Sequence, residues 1–162
     1  MNTQELQLSD GQDFQHGKIL TFSIGQEVFG IDIVYVKEII GMQPVSALPE
    51  SPDYLIGIIN LRGKIIPVVD VRIKFGKDKL GYTDRTCIIV TDIQGVSTGL
   101  LVDRVSEVIT VDDENIIPAS EYSFGNKNRY IRSIAKVGND VKLLIDCNQF
   151  FKEEELDDIL VQ

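Results

Sequence analysis

Apolar and polar positions alternate with a period of two over much of the chain, and that period predicts strands. Ile19-Leu20-Thr21-Phe22-Ser23-Ile24 is followed by Gly25-Gln26-Glu27 and then by Val28-Phe29-Gly30-Ile31-Asp32-Ile33. Two such runs around a short glycine-bearing turn predict a hairpin. A third strand is expected over 34–40, followed by a loop through Pro44, Pro49 and Pro52. Ile56 to Leu61 and Ile65 to Val69 flank Arg62-Gly63-Lys64, a second tight connection. Helical signals are sparse. Ser51 before Pro52 and Asp53 suits the cap of a one-turn helix, and Asp70 suits the cap of another over 71–75. Asn148 is expected to cap an acidic helix over 149–160, with Leu156, Ile159 and Leu160 on one face.

The pattern repeats. A shift of 69 positions brings Ile24 onto Ile93, Gly30 onto Gly99, Val36 onto Val105, Glu38 onto Glu107 and Pro49 onto Pro118. A shift of 76 brings Tyr54 onto Tyr130, Val69-Asp70 onto Ile145-Asp146 and Phe75 onto Phe151. The change of shift places seven extra residues in the second half, near 120–129, a segment of loop composition. Coincidence of Gly, Pro, Glu and Asp with the apolar pattern argues for two copies of one small β unit rather than generic alternation. Each copy has about five short strands, and closure into a barrel would remove the exposed edges of so small a sheet.

Composition narrows the function. The chain has 162 residues, 43% apolar and 25% charged, which is a globular balance. A net charge of -9 opposes nucleic-acid binding and docking on an anionic membrane, because both call for a basic face. No apolar stretch approaches the roughly 20 residues of a membrane span, and the polar start lacks the order of a signal peptide, so a cytoplasmic address is expected. Cys87 and Cys147 lie in apolar runs and are read as buried free thiols. His16 is the only histidine, in the polar leading segment, so no zinc set forms. Nucleotide-binding and nucleophile-elbow motifs are missing, and no metal or cofactor is expected. Asp32, Asp70, Asp103 and Asp146 lie at or beside strands, where caps, turns and solvated ends account for most such carboxylates. No enzyme activity is expected.

The segment Asn60-Leu61-Arg62-Gly63-Lys64-Ile65-Ile66-Pro67-Val68-Val69-Asp70-Val71-Arg72 stands apart, because a basic turn interrupts two apolar strands. Pro67 suits an edge strand or a bulge. Arg62 offers a rigid fork of donors to a carboxylate or carbonyl oxygen of a partner, and it could equally close the local turn.

Gly57-x-x-Asn60-Leu61-Arg62-Gly63 followed by Pro67-Val68-x-Asp70-x-Arg72, with the region from Phe22 through Gly30 to Val36-x-Glu38-Ile39, resembles the chemotaxis coupling proteins of the CheW family. The likeness runs from about Gly17 to Phe151; the family often has Leu where this chain has Val71. It implies a mainly β fold of two SH3-like, five-stranded barrel subdomains with short helices and a C-terminal helix. Residues 17–151 would form the domain, with subdomains at about 24–83 and 86–147 and the first strand available to complete the second barrel. Residues 1–16 would be a flexible leader and 148–162 an acidic C-terminal helix. The resemblance also implies a non-enzymatic scaffold recruited to membrane receptor clusters. One barrel would engage the regulatory domain of a histidine autokinase, and a groove between barrels the helical tip of a methyl-accepting receptor. Carried over, the receptor-side residues are Val36, Glu38, Gly57, Arg62 and Gly99. The kinase side is assigned to strand edges and apolar faces near Phe29, Ile31 and Leu100. An adaptor with a fused receiver domain would need a longer chain, and a ligand-binding barrel would need a concave pocket of converging polar groups.

Overall fold

The computed structural model describes residues 17–78, 81–118 and 130–150. Within them the chain runs β1 (Lys18–Ile24), β2 (Glu27–Asp32), β3 (Val36–Gly41), β4 (Leu55–Leu61), β5 (Lys64–Asp70), α1 (Val71–Lys74), β6 (Cys87–Ile93), β7 (Val96–Val102), β8 (Arg104–Thr110), β9 (Ile116–Pro118), β10 (Ile131–Val137), β11 (Asp140–Ile145) and α2 (Cys147–Phe150). Single 3-10 turns precede β3 and β9. The shift of 69 carries β1, β2 and β3 onto β6, β7 and β8, and the shift of 76 carries β4, β5 and α1 onto β10, β11 and α2.

The copies exchange strands. One sheet has the order β8-β1-β2-β11-β10-β9 and the other β3-β6-β7-β5-β4. Replacing each strand but β9 by its counterpart converts one order into the other; beside β4 an isolated bridge, Ser46 to Ile58, stands where β9 lies beside β10. The bulges correspond too: Leu20/Phe22 of β1 opposite β8 matches Val36/Glu38 of β3 opposite β6, and Leu55/Gly57 of β4 matches Ile131/Ser133 of β10. Each sheet joins strands of the two halves twice, by one parallel pairing (β5 with β7, β11 with β2) and one antiparallel pairing (β3 with β6, β1 with β8).

The expected barrels do not close, since neither sheet pairs its first strand with its last. The edges are protected in other ways. Edge strands β3 and β8 carry Lys37, Glu38, Arg104 and Glu107 and a bulge each, β9 ends in Pro118, and a bridge from Ser46 to Ile58 covers part of β4. Backbone closure is then unnecessary to keep another chain from pairing.

Burial alternates between two environments. On the inner face of the second sheet Ile59, Ile66, Val68, Ile88, Val90 and Leu101 form a cluster of their own. Ile19, Val111, Ala135 and Leu144 do the same in the first sheet. The other faces meet in a shared core containing Leu20, Phe22, Phe29, Ile31, Ile89, Leu100 and Ile145. Phe29 stacks on Phe75, with ring centroids 4.9 Å apart, and Tyr130 meets Phe150 at 5.4 Å.

Three local expectations need correction. Residues 51–54 form a turn rather than a helix, with the Ser51 hydroxyl donating to the Leu48 carbonyl at 3.0 Å instead of accepting from a helical N–H. Helix α2 is capped by Asp146, whose Oδ1 accepts from the N–H groups of Asn148 and Gln149; the expected capping residue Asn148 is itself capped. Asp70 caps α1 as expected, accepting from Arg72 and Ile73. Pro67 lies on β5, which is an interior strand by order, yet pairing with β7 begins only at Val68, just past the residue that has no N–H to give. The leading segment 1–16, the insertion at 120–129 and the helix beyond 150 lie outside the described residues.

Candidate functional site

Leu61 pairs with Lys64, so Arg62 and Gly63 are the two central residues of the β4–β5 hairpin turn. Both have positive φ, 51° and 87°. That combination belongs to a type I′ turn, whose twist suits a hairpin and which normally takes Asn or Gly at its first central position. The Asn60 carboxamide oxygen accepts from the Gly63 N–H at 2.8 Å and closes the turn from outside.

Held there, the Arg62 side chain is 68% exposed and pairs with Glu38 on β3. Two elements far apart in sequence thus meet across the open seam of the second sheet. Lys64, next to the turn, donates to the Ser97 hydroxyl at 2.7 Å, and Ser97 is the register partner of Asp92, which pairs with Lys37 at 3.4 Å. A polar band therefore crosses β3, β6, β7 and β5 beside the Arg62–Glu38 pair. Ile39 on β3 and Ile65 on β5 leave large apolar side chains exposed.

The remaining predicted receptor-side residues differ in kind. Val36 is half-buried at the start of β3. Gly57 sits on the β4 bulge at φ 149°, and a Cβ there would stand 2.2 Å from the Ser46 carbonyl oxygen. Gly99 is buried where β7 crosses β5, and its Cβ would stand 2.7 Å from Ile88 Cγ2. Both glycines admit close approach of backbone or core, while Arg62 and Glu38 present side chains. Phe29, Ile31 and Leu100 are 2%, 0% and 1% exposed and belong to the shared core, so their side chains are enclosed in the folded chain.

The four strand-end aspartates have structural partners. Asp32 pairs with Arg132 at 2.8 Å. Asp103 pairs with Arg72 and accepts from the Gly25 N–H at 2.6 Å, and Asp70 and Asp146 cap the short helices. Cys87 and Cys147 are free thiols, half-buried and buried. Burial pushes the Cys147 thiol up to about 12, with the negative charges of Asp32 and Asp146 adding to it. Tyr35 is raised by burial first and then by Cys147 and Asp32. Among the described residues no group of His, Cys, Asp and Glu could hold a metal ion, and no helix is long and apolar enough to cross a membrane.

What the sequence reading missed was the role of Asn60 and the Lys37–Asp92–Ser97–Lys64 band. An Asn three residues before a Gly that ends a two-residue turn is a readable signal for the first. The second depends on register between strands distant in sequence and has no local signal.

Residues 18–155 match the family model of the CheW-like domain. The chain is 34% identical over 146 residues to the chemotaxis protein CheW of Klebsiella aerogenes, covering 90% of this chain and 85% of that protein. It is 37% identical over 138 residues to a probable chemotaxis protein CheW of Rhizobium etli, covering 85% and 89%. The crystal structure of the scaffolding protein TtCheW from Thermoanaerobacter tengcongensis superposes with a TM-score of 0.78 at 36% identity, covering 86% of this chain and 94% of that one. The chain belongs to the CheW family, and it is a non-enzymatic scaffold that links receptors and kinase in chemotaxis.

Proposed function

We propose that the chain binds the cytoplasmic helical tip of a methyl-accepting receptor through Arg62 and Glu38 while holding the regulatory domain of a histidine autokinase on a separate surface. The observation that carries this reading is the exposed Arg62 side chain, paired to Glu38 and held on a left-handed backbone that an arginine disfavours. An antiparallel helical hairpin buries an apolar stripe and offers polar atoms at its margins. An arginine suits that boundary, because its stem covers apolar surface while its fork bonds to oxygen. Glu38 restrains the fork before the partner arrives, which lowers the entropy lost on binding. Val36 flanks the contact, and Gly57 and Gly99 serve it by letting β4 and β7 pack closely beneath. For the kinase domain, Phe29, Ile31 and Leu100 act as the support on which β2 and β7 lie. The working unit is residues 17–151, in two subdomains of about 24–83 and 86–147 with the first strand completing the second, flanked by the segments 1–16 and 148–162. Its place is the cytoplasm, at membrane receptor clusters.

Titration calorimetry against a soluble receptor hairpin and against the kinase regulatory domain tests the reading. Arg62→Ala is expected to weaken receptor binding roughly ten-fold or more and to leave kinase-domain binding unchanged. A saturating receptor hairpin should leave the kinase domain bound. Unchanged receptor affinity would remove Arg62 from the site, and displacement of the kinase domain would end the two-surface arrangement.

A further inference from the structure

We propose that Asn60 is a positioning residue for the receptor contact: its carboxamide fixes the left-handed turn that aims Arg62, without itself touching the partner. The inference rests on the receptor reading given above.

The argument starts from the backbone. Arg62 at φ 51° occupies a region in which a side chain crowds the following carbonyl, a cost that a bond holding the turn offsets. Gly63 at φ 87° supplies one half of the type I′ geometry at little steric cost. The Asn60 oxygen supplies the other half by accepting from the Gly63 N–H at 2.8 Å. An Asn side chain bonded to nearby backbone is a common way to hold a turn. Asn60 and the Gly63 N–H are both exposed, so the bond adds little to burial. What it adds is direction, since the turn conformation decides whether the Arg62 fork reaches Glu38 across the seam.

The second hairpin serves as an internal control. There Lys136 stands at the position of Asn60 and Gly138-Asn139 at the position of Arg62-Gly63. Gly138 has φ 62° and Asn139 is absent from the residues of positive φ, so that turn has only one left-handed residue. It carries no long side chain at its first central position, and it has no Asx acceptor at the position of Asn60. Between these two equivalent hairpins, the acceptor, the strained arginine and the type I′ turn occur together in β4–β5 and are absent together from β10–β11; the β6–β7 hairpin has the left-handed pair at Gln94 and Gly95 but carries no arginine.

The test uses the full chain, a soluble receptor hairpin as probe and the kinase regulatory domain as control. Asn60→Ala is expected to weaken receptor binding about five-fold, the worth of one hydrogen bond, with kinase-domain binding unchanged. Asn60→Asp keeps the acceptor and should restore most of the affinity. In an Arg62→Ala background, Asn60→Ala should cost nothing further, because Asn60 acts only through Arg62. Exchange of the Gly63 amide proton, followed by NMR, should be faster in Asn60→Ala than in the unaltered chain and slow again in Asn60→Asp. Additive losses in the double variant would overturn the proposal by showing that Asn60 touches the partner itself, and an unchanged Gly63 exchange rate would overturn it by showing that the turn does not need the cap. Unchanged receptor affinity for Asn60→Ala beside a weakened Arg62→Ala would overturn only the role given to Asn60. Unchanged affinity for Arg62→Ala would overturn the receptor reading itself.

Discussion

Apart from β9, the two sheets have the same strand order under the duplication, yet they treat their inner faces differently. In the second sheet the inner face holds Ile56, Ile66 and Leu101, while the counterparts in the first are Arg132, Lys142 and Asp32. The first sheet therefore has a smaller inner cluster and an ion pair, Asp32 with Arg132, beside a cleft of about 400 Å³. The second fills that space with side chains and brings the Ser46 segment down onto β4. The contrast shows where each copy is constrained. The second sheet has packed apolar side chains where the first has the Asp32–Arg132 pair and a cleft lined by Ile19, Ile116 and Pro118.

Gly57 and Ser133 are the sharpest break between the copies and give the largest expected effect. Ser133 is buried and tolerated on β10, where β9 pairs with it through Pro118. Gly57 faces the Ser46 carbonyl so closely that a Cβ cannot enter, and its φ of 149° strains any other residue. Gly57→Ser, which writes the second copy's residue into the first, should cost roughly 2–6 kcal/mol from strain and overpacking together. Urea unfolding measures it. A loss below about 0.5 kcal/mol, the size of an ordinary surface change, would show that the Ser46 segment is free to lift away.

Much of this architecture was legible in the sequence. The shifts of 69 and 76 carry strands onto strands because Gly30 and Gly99 admit the same close crossing and Asp70 and Asp146 make the same caps. Barrel closure was not legible, since it depends on whether two edges pair, and a bulge with a few charges protects an edge just as well. The cap at Ser51 failed because its segment makes a turn, with Ser51 bonded to the Leu48 carbonyl, and the cap at Asn148 because Asp146, two residues earlier, takes that role. At the site, the exposure of Arg62 followed from its turn. Phe29, Ile31 and Leu100 could not be placed by alternation, because β2 and β7 are buried on both faces, between an inner cluster and the shared core. Over 29–31 and 100–102 no polar side chain reveals which way the strand points.

An intermediate effect is expected where the copies differ by a thiol. Val71 caps the shared core behind α1, and its counterpart behind α2 is Cys147. The Cys147 thiol has its folded value raised to about 12 from the ordinary 9.0, because burial disfavours the thiolate. The native state keeps the proton that the unfolded chain loses. The contribution is therefore fully present below pH 9 and is lost as pH rises toward about 12. Over that window the unaltered chain should lose about 1.4 kcal/mol of stability per pH unit relative to Cys147→Val, which has nothing to ionise. Denaturant melts of both at pH 8, 9 and 10 would show the gap opening above pH 9. Parallel curves would mean that the thiol is reachable by water.

The smallest effect on folding is expected at Arg62, and it separates binding from stability most cleanly. Arg62→Gly makes the first hairpin resemble the second, where Gly138 already takes the left-handed position. Two backbone terms oppose each other. Removing a side chain from that region relieves about 1–2 kcal/mol of crowding. Glycine loses more conformational freedom on folding, which returns about 0.5–1 kcal/mol of the gain. The exposed pair with Glu38 is lost as well, and such pairs contribute about 0–1 kcal/mol. The three ranges sum to between about -1 and about +1.5 kcal/mol, with midpoints a few tenths of a kcal/mol on the stabilising side. Receptor affinity should nevertheless fall at least as far as in Arg62→Ala, since the fork is gone and the turn is now mobile. A chain that melts at or above the temperature of the unaltered protein and no longer holds the receptor hairpin would show that the strained arginine is kept for the partner. A clear drop in melting temperature with binding retained would show the reverse, that Arg62 serves the seam between β3 and the hairpin and the partner docks elsewhere.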